Sequence, residues 1–182
     1  MDSVERARFP PVVAGGAGNV KRCRANTGKI EVCNARYGFN GWLGLAQIWI
    51  SGSHIVKLAK MNDTYFDSPG YDYTAKRHVF CQEVGHGYGL AHQDESGADL
   101  NTCMDYSNGL DNPHPNAHDY EQLETIYDSH IDSGGSPAFS PQAGARVSVR
   151  RIDRISCSEI VADYGHGYRI GTHITWALGS GS

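Results

Sequence analysis

The chain has 182 residues, of which 40% are hydrophobic and 20% charged, and its formal net charge is −4. This composition fits a folded globular domain and excludes a disordered chain. No apolar run approaches the roughly 20 residues of a membrane-spanning helix, and no stripe of Lys and Arg marks a nucleic-acid surface. We therefore expect one monomeric domain that has neither nucleic acid nor a membrane as its partner.

The N-terminal third of the chain is typical of an arm followed by strands. Residues 1–22 combine charges, adjacent prolines and paired glycines without periodicity, so we expect a flexible, loosely held arm. From Lys29 to Leu58, β-branched and aromatic residues alternate with Gly and Asn, which is a strand pattern. The expected elements are a strand over 43–50, a turn over 51–53, a returning strand over 54–58 and turns over 62–74.

The remainder of the chain is typical of two helices followed by a hairpin. A helix is expected from Ala75 to the glycines at 87 or 89, and a second one over 117–130, where apolar residues recur at helical spacing. After a linker loop over 133–144, we expect strands at 147–149, 160–164 and 168–178, the last two joined by a turn at 165–167. The predicted division is an arm (1–22), a main domain (23–132), and a linker with a C-terminal β extension packed on that domain (133–182).

The segment from Cys81 to His92 concentrates residues that can hold a metal. Gln82 and His86 lie four residues apart, so on a helix their side chains share one face at about 6 Å along the axis. Glu83 lies beside them, where its carboxylate can take a proton from a metal-activated water. Gly89 tolerates the positive φ that ends a helix, and the chain can then return His92 as a further ligand.

These residues resemble the signature of the metzincin metallopeptidases, H-E-x-x-H-x-x-G-x-x-H followed by a methionine turn. Glu83, His86, Gly89 and His92 match it position for position, and Met104 in Cys-Met-Asp-Tyr is similar to the methionine of the turn. The match runs from about residue 76 to 106 and does not cover 133–182.

The resemblance implies an α+β fold, with a twisted N-terminal β-sheet, an active-site helix, a methionine turn, a C-terminal helix and a short β extension. It also implies a Zn²⁺ cofactor, a peptide or protein substrate and Glu83 as general base. Tyr106, two residues after Met104, matches a tyrosine that ligates zinc and stabilises the transition state in some members of the family.

The departure from the family lies at the first ligand, which is Gln82 instead of histidine. An amide oxygen is a weaker zinc donor than an imidazole. Three hypotheses follow. In the first, Gln82 ligates zinc with His86 and His92, and Tyr106 and water complete the shell. In the second, the two histidines hold zinc with a neighbouring oxygen such as Asp94 or Tyr106. In the third, the site has lost its metal and the protein is a non-catalytic relative.

The other histidines and the nearby acids lack this spacing. His78 lies eight residues before His86, about 12 Å along a helix, and is expected on the helix surface. A solvated loop is expected for the acidic residues that follow His92, in preference to a calcium site; these are Asp94, Glu95 and Asp99. The remaining histidines are expected at the surface or in hydrogen bonds; these are His54, His114, His118, His130, His166 and His173.

Five cysteines carry no C-x-x-C pair, which disfavours a zinc ribbon or a thioredoxin-type motif. Cys23 and Cys33 flank a turn-like stretch and can staple a hairpin, although five reduced thiols in a cytosolic protein are the alternative. The resemblance places Cys81 beside the ligand helix and Cys103 beside the methionine turn, which favours a disulfide over a cysteine ligand. Cys157 is then unpaired.

The resulting expectation is a secreted zinc endopeptidase whose leader peptide is absent from this chain, since residues 4–9 are charged. The first alternative is a catalytically inactive metzincin relative that binds a peptide or protein in the same cleft. The second alternative is a disulfide-stapled interaction module.

Overall fold

The structure is a computed structural model, and it describes residues 12–15, 23–51, 54–94, 96–107, 109–127, 150–156 and 158–179. The described chain is a mixed α+β fold. The strands are β1 (Val12–Gly15), β2 (Asn26–Thr27), β3 (Ile30–Ala35), β4 (Trp42–Ser51), β5 (His54–Asn62), β6 (Arg151–Arg154), β7 (Glu159–Gly165) and β8 (Tyr168–Trp176). The helices are α1 (Asp63–Phe66), α2 (Tyr73–Tyr88) and α3 (Ala117–Tyr127).

All described strands join one mixed sheet, in the order β1-β3-β5-β4-β8-β7-β6, while β2 pairs with β5. The first three strands in that order run parallel, and β5, β4, β8, β7 and β6 follow in antiparallel pairs. β8 pairs with β4 along the whole strand, from Trp42 opposite Trp176 to Ser51 opposite Tyr168. The C-terminal hairpin is therefore a continuation of the N-terminal sheet.

The helix α2 packs across β3, β4, β5 and β8. Asp72 caps its first turn by accepting a hydrogen bond from Ala75 N at 2.8 Å, and Gly89 ends it at φ 100°. Gly44 of β4 permits a close approach, because a Cβ there would lie 2.5 Å from Val79 Cγ1. The core between helix and sheet consists of Ile30, Val32, Leu43, Ala59, Met61, Val79 and Ala177.

A second, smaller core lies beyond the end of α2. Leu90, Cys103 and Met104 are buried together, and Leu123 and Ile126 of α3 pack against them. Apolar residues at helical spacing on α3 thus cover the segment that contains Met104.

Several elements differ from the sequence-based expectation. β1 lies in the predicted arm, where it pairs in parallel with β3, and α1 occupies part of the predicted turn segment. The hairpin of β7 and β8 and its turn at 165–167 are as predicted. The linker over 133–144 and the expected strand at 147–149 lie outside the described residues. Among the described helices, none is long and apolar enough to cross a lipid bilayer.

Candidate metal and catalytic site

The helix α2 brings Gln82, Glu83 and His86 to the buried side of the molecule, where their exposed fractions are 5%, 0% and 1%. Polar side chains are rarely buried in such a group unless they are paired or functional. These are the helix positions that the motif predicts.

His86 has a defined orientation. Its Nδ1 lies 2.9 Å from the Leu90 carbonyl oxygen, which can only accept a hydrogen bond. Nδ1 therefore carries the proton, and Nε2 carries the lone pair that a metal needs. Gly89 makes this contact possible, because its left-handed backbone turns Leu90 back towards the helix.

His92 and Tyr106 complete a cluster of rings around His86. The ring centroids of His86 and His92 lie 4.8 Å apart, and those of His92 and Tyr106 lie 5.0 Å apart. The Tyr106 hydroxyl is 3.2 Å from Ser158 Oγ. The structure thus brings together three of the residues predicted from the motif.

Glu83 is sealed between α2 and the sheet. Burial raises the pKa of its carboxyl to about 8, against hydrogen bonds from Thr175 and Ala46 that lower it. Glu83 Oε2 has no hydrogen-bond partner among the described residues. The carboxyl is therefore mostly protonated at neutral pH in the metal-free chain.

Thr175 of β8 contacts the side-chain amide of Gln82 and the carboxyl of Glu83. Its hydroxyl oxygen lies 2.5 Å from Gln82 Oε1 and 2.6 Å from Glu83 Oε1. A hydroxyl has a single proton to donate. Both short contacts are satisfied together only when Glu83 is protonated, which agrees with the raised pKa of its carboxyl.

The amide of Gln82 is held at both ends. Its Nε2 donates to the Asp105 carbonyl oxygen at 3.1 Å, and its Oε1 accepts from the Thr175 hydroxyl. An amide oxygen keeps a second lone pair, so ligation by Gln82 stays a prediction.

A cleft of about 500 Å³ opens above these residues. Gln82, His92, Tyr106, Ser158 and Thr175 are among its lining residues. Glu83 and His86 lie beneath the lining, so the Thr175 hydroxyl stands between the Glu83 carboxyl and the cleft.

The predicted structural residues surround this site. Met104 is fully buried and packs against Gly85 of α2, where the Cβ of a larger residue would overlap the Met104 thioether. Disulfides join Cys23 to Cys33 and Cys81 to Cys103, as expected from the sequence. The second bridge ties α2 to the segment of Met104. Cys157 lies outside the described residues.

The structure adds His173 of β8, whose expected place from the sequence was the surface or a hydrogen bond. Its ring stacks on that of His86, with centroids 4.1 Å apart and 14° between the planes. Motif spacing could not reveal it, because the contact depends on the pairing of β8 with β4. Only the alternation of the C-terminal strand, which gives His173 and Thr175 the same face, hinted at a shared environment.

Burial lowers the pKa of the clustered imidazoles. The pKa of His92 and that of His173 each fall to about 4, and burial, with added repulsion from His173 and His92, holds the pKa of His86 well below its usual value. All three rings are therefore neutral at pH 7, which is the form that binds metal.

The expectation for His78 is wrong. It is fully buried, and neither ring nitrogen has a hydrogen-bond partner by geometry among the described residues. Burial lowers its pKa, although the nearby Asp105 raises it. The reason is that the segment carrying Asp105 folds over this face of α2. The spacing of His78 from His86 along the helix contains no information about that contact.

The other histidines and acids lie apart from the site. His114 contacts Arg77 at 3.1 Å and His166 contacts Arg150 at 3.4 Å, and His118 is exposed. Asp94 and Asp99 accept hydrogen bonds from backbone N–H groups two residues on, as in an exposed loop. Residues Glu95 and His130, and the His54 side chain, lie outside the described part.

Within the described residues, no three His, Cys, Asp or Glu side chains converge as a formed metal site. Comparisons with family models, with curated proteins and with solved structures each found no match. The function must therefore be argued from the site itself.

Proposed function

We propose that the protein is a zinc-dependent metalloendopeptidase of the metzincin type. The observation that carries the proposal is the clustering of His86, His92 and Tyr106 next to the buried carboxyl of Glu83. Two neutral imidazoles and a phenol are donors that zinc accepts. The buried, unpartnered His173 Nδ1 in the same cluster is a further donor among the described residues, so the donor set fits the ion.

His86 and His92 would hold the zinc, with Tyr106 beside them. When bound, zinc acts as a Lewis acid that polarises a carbonyl and activates a water molecule. The Glu83 carboxyl holds a proton in the metal-free chain, and it releases that proton more readily near a cation, because an opposite charge favours the carboxylate.

Glu83 would then take a proton from the attacking water, whose oxygen adds to the scissile carbonyl carbon. It would return that proton to the leaving amine as the C–N bond breaks. The proton moves between the Glu83 carboxyl and the cleft past the Thr175 hydroxyl. That hydroxyl contacts Glu83 Oε1 at 2.6 Å, and Thr175 also lines the cleft. The Tyr106 hydroxyl, held near Ser158, supports negative charge on the substrate oxygen.

A chain-like substrate suits the shape of the surface. Leu110 and Leu178 line the cleft and also a neighbouring depression of about 780 Å³ that extends towards Tyr71. The two depressions form a groove longer than a small molecule requires, which favours a peptide or protein substrate. Two disulfides favour an oxidising, extracellular location.

The second candidate function is a catalytically inactive relative that binds peptides in this cleft. It is favoured by Gln82, whose amide is held by protein groups at both ends, and by Glu83, which is fully buried. If Glu83 never ionises, it cannot act as a general base, and the site would bind a peptide in the groove without hydrolysing it.

Zinc content and hydrolysis of a denatured protein substrate separate the two candidates. We expect the wild-type chain to bind zinc and to cleave, whereas Glu83→Gln binds zinc but does not cleave. Glu124→Gln, at an exposed position of α3, is the matched control and should cleave like the wild type.

A wild-type chain that binds zinc and a peptide without cleaving it would favour the inactive relative. Cleavage that survives in Glu83→Gln would remove Glu83 from the role of general base. A chain that neither binds zinc nor cleaves would contradict the proposal.

A further inference from the structure

His173 lies on the face of β8 that is turned to α2. His173 pairs with Ala46 of β4 and with Glu159 of β7. It lies two residues before Thr175 in the same strand. Since side chains two apart in a strand share a face, the contacts of Thr175 with Gln82 and of His173 with His86 arise from the same face. The C-terminal hairpin thus supplies two side chains to the site.

Three imidazole rings form one cluster at the site, although their nitrogens do not converge on a common point in this arrangement. Two imidazoles on one tetrahedral zinc have ring centroids about 5 Å apart, given a Zn–N bond of about 2.0 Å. The His86–His92 centroids lie 4.8 Å apart, close to that separation. The stacked His86–His173 pair is closer, at 4.1 Å, and the His92–His173 pair is more distant, at 6.3 Å.

The nitrogens of His173 are in unequal surroundings. Nδ1 is buried without a hydrogen-bond partner among the described residues, a condition that costs about 1–3 kcal/mol unless it is relieved. Nε2 lies 3.9 Å from Glu159 Oε1 on the neighbouring strand. At 3.9 Å the two atoms are neighbours without a hydrogen bond. A carboxylate that hydrogen-bonds the outer nitrogen of an imidazole is common behind metal ligands, and Glu159 is near enough to take that role after a small movement.

Gln82 is less available than His173. Its amide nitrogen and oxygen are each engaged by protein groups, and an amide oxygen is a poorer zinc donor than a neutral imidazole.

We propose that His173 is the third nitrogen ligand of the zinc site, with His86 and His92, and that it takes the place that histidine has at position 82 of the family signature. This inference rests on the proposed function. The ligating atom is Nδ1, the ring nitrogen that has no hydrogen-bond partner among the described residues. Because the His173 ring stacks on His86 at 14°, ligation requires rotation of the His173 side chain, whereas β8 stays paired with β4.

Competition titration of Zn²⁺ against a chelator of known affinity tests the assignment. We expect His173→Ala to weaken zinc binding at least tenfold and Gln82→Ala to leave it within about twofold. His166→Asn is the matched control, since it removes an exposed histidine from the same hairpin, and asparagine tolerates the positive φ of 54° at that position. Its zinc affinity should equal that of the wild type.

A second measurement needs no variant. NMR spectra of the wild-type chain labelled with ¹⁵N-histidine should show three imidazoles whose ring nitrogens shift on addition of Zn²⁺. Two shifting imidazoles, or a tenfold loss in Gln82→Ala with none in His173→Ala, would overturn the role of His173 and leave the zinc site in place. Absence of zinc binding by the wild type would instead overturn the proposed function.

Discussion

Glu83 is buried with its proton, so its ionisation should set part of the pH dependence of stability. The pKa of its carboxyl is about 8 in the folded chain, whereas the ordinary value is 4.5. Between these values the folded state keeps a proton that the unfolded state has released. The free energy of unfolding therefore falls as pH rises through this window, by about 1.4 kcal/mol per pH unit.

The clustered histidines contribute the opposite sign at lower pH. The pKa values of His92 and His173 are about 4 in the folded chain and 6.5 ordinarily. Over that interval the unfolded state binds more protons, so their contribution to stability rises with pH. These contributions are common to the wild type and to Glu83→Gln, so they cancel in the difference between the two.

Glu83→Gln keeps the shape of the protonated carboxyl and cannot ionise. We expect the two proteins to have similar stability at pH 5, and the variant to gain about 3 kcal/mol relative to the wild type by pH 8. The assay is urea unfolding followed by the fluorescence of the three tryptophans, with chelator present so that only the metal-free chain is compared.

Glu124→Gln, at an exposed site on α3, should show no such change with pH. A difference between wild type and Glu83→Gln that stays constant from pH 5 to pH 8 would refute the reasoning. It would mean that the pKa of the Glu83 carboxyl in the folded chain equals its ordinary value, and that β8 does not exclude water from it.

Three further predictions concern the fold. Gly44→Ala should destabilise the chain by about 1–3 kcal/mol in urea unfolding, because its Cβ would lie 2.5 Å from buried atoms of α2. Gly171→Ala is the control and should leave the stability unchanged, because its Cβ would meet nothing closer than 4.0 Å. Asp119→Ala should lower the free energy of unfolding by about 2–4 kcal/mol in the same assay, because this buried side chain accepts hydrogen bonds from Thr102 and two other donors. A change below 0.5 kcal/mol, the usual range for a surface position, would count against that network. Peptide mapping without reduction should find both bridges of the structure and leave Cys157 as a free thiol; any bridge to Cys157 would contradict the pairing.

The sequence predicts the local elements near the motif because their signals are local. The predicted start of α2 at Ala75 lies two residues after the observed start at Tyr73, and Gly89 ends the helix as expected. The turn at 165–167 marks the last hairpin. The interior of α2 gives no apolar stripe, since its buried face carries His78, Gln82, Glu83 and His86. The glycine-poor run that ends at Gly87 or Gly89, and not an apolar periodicity, predicted that helix.

Non-local pairing is the part that the sequence could not provide. β1 is short, lies beside glycines and pairs in parallel with β3. His173 reaches His86 because β8 joins β4, although the two histidines are far apart in the chain. Neither composition nor spacing encodes such a partner choice, so the residues that β8 brings to the site were not predictable.

Zinc bound per chain is the measurement that tests the account most directly. Elemental analysis of protein purified without added zinc, at pH 7.5, should find about one zinc per chain, the number that one ligand cluster holds. A variant that carries both His86→Ala and His92→Ala should hold none, while His114→Ala, away from the cluster, should match the wild type. Wild-type protein without zinc, or zinc retained in the double variant, would contradict the account.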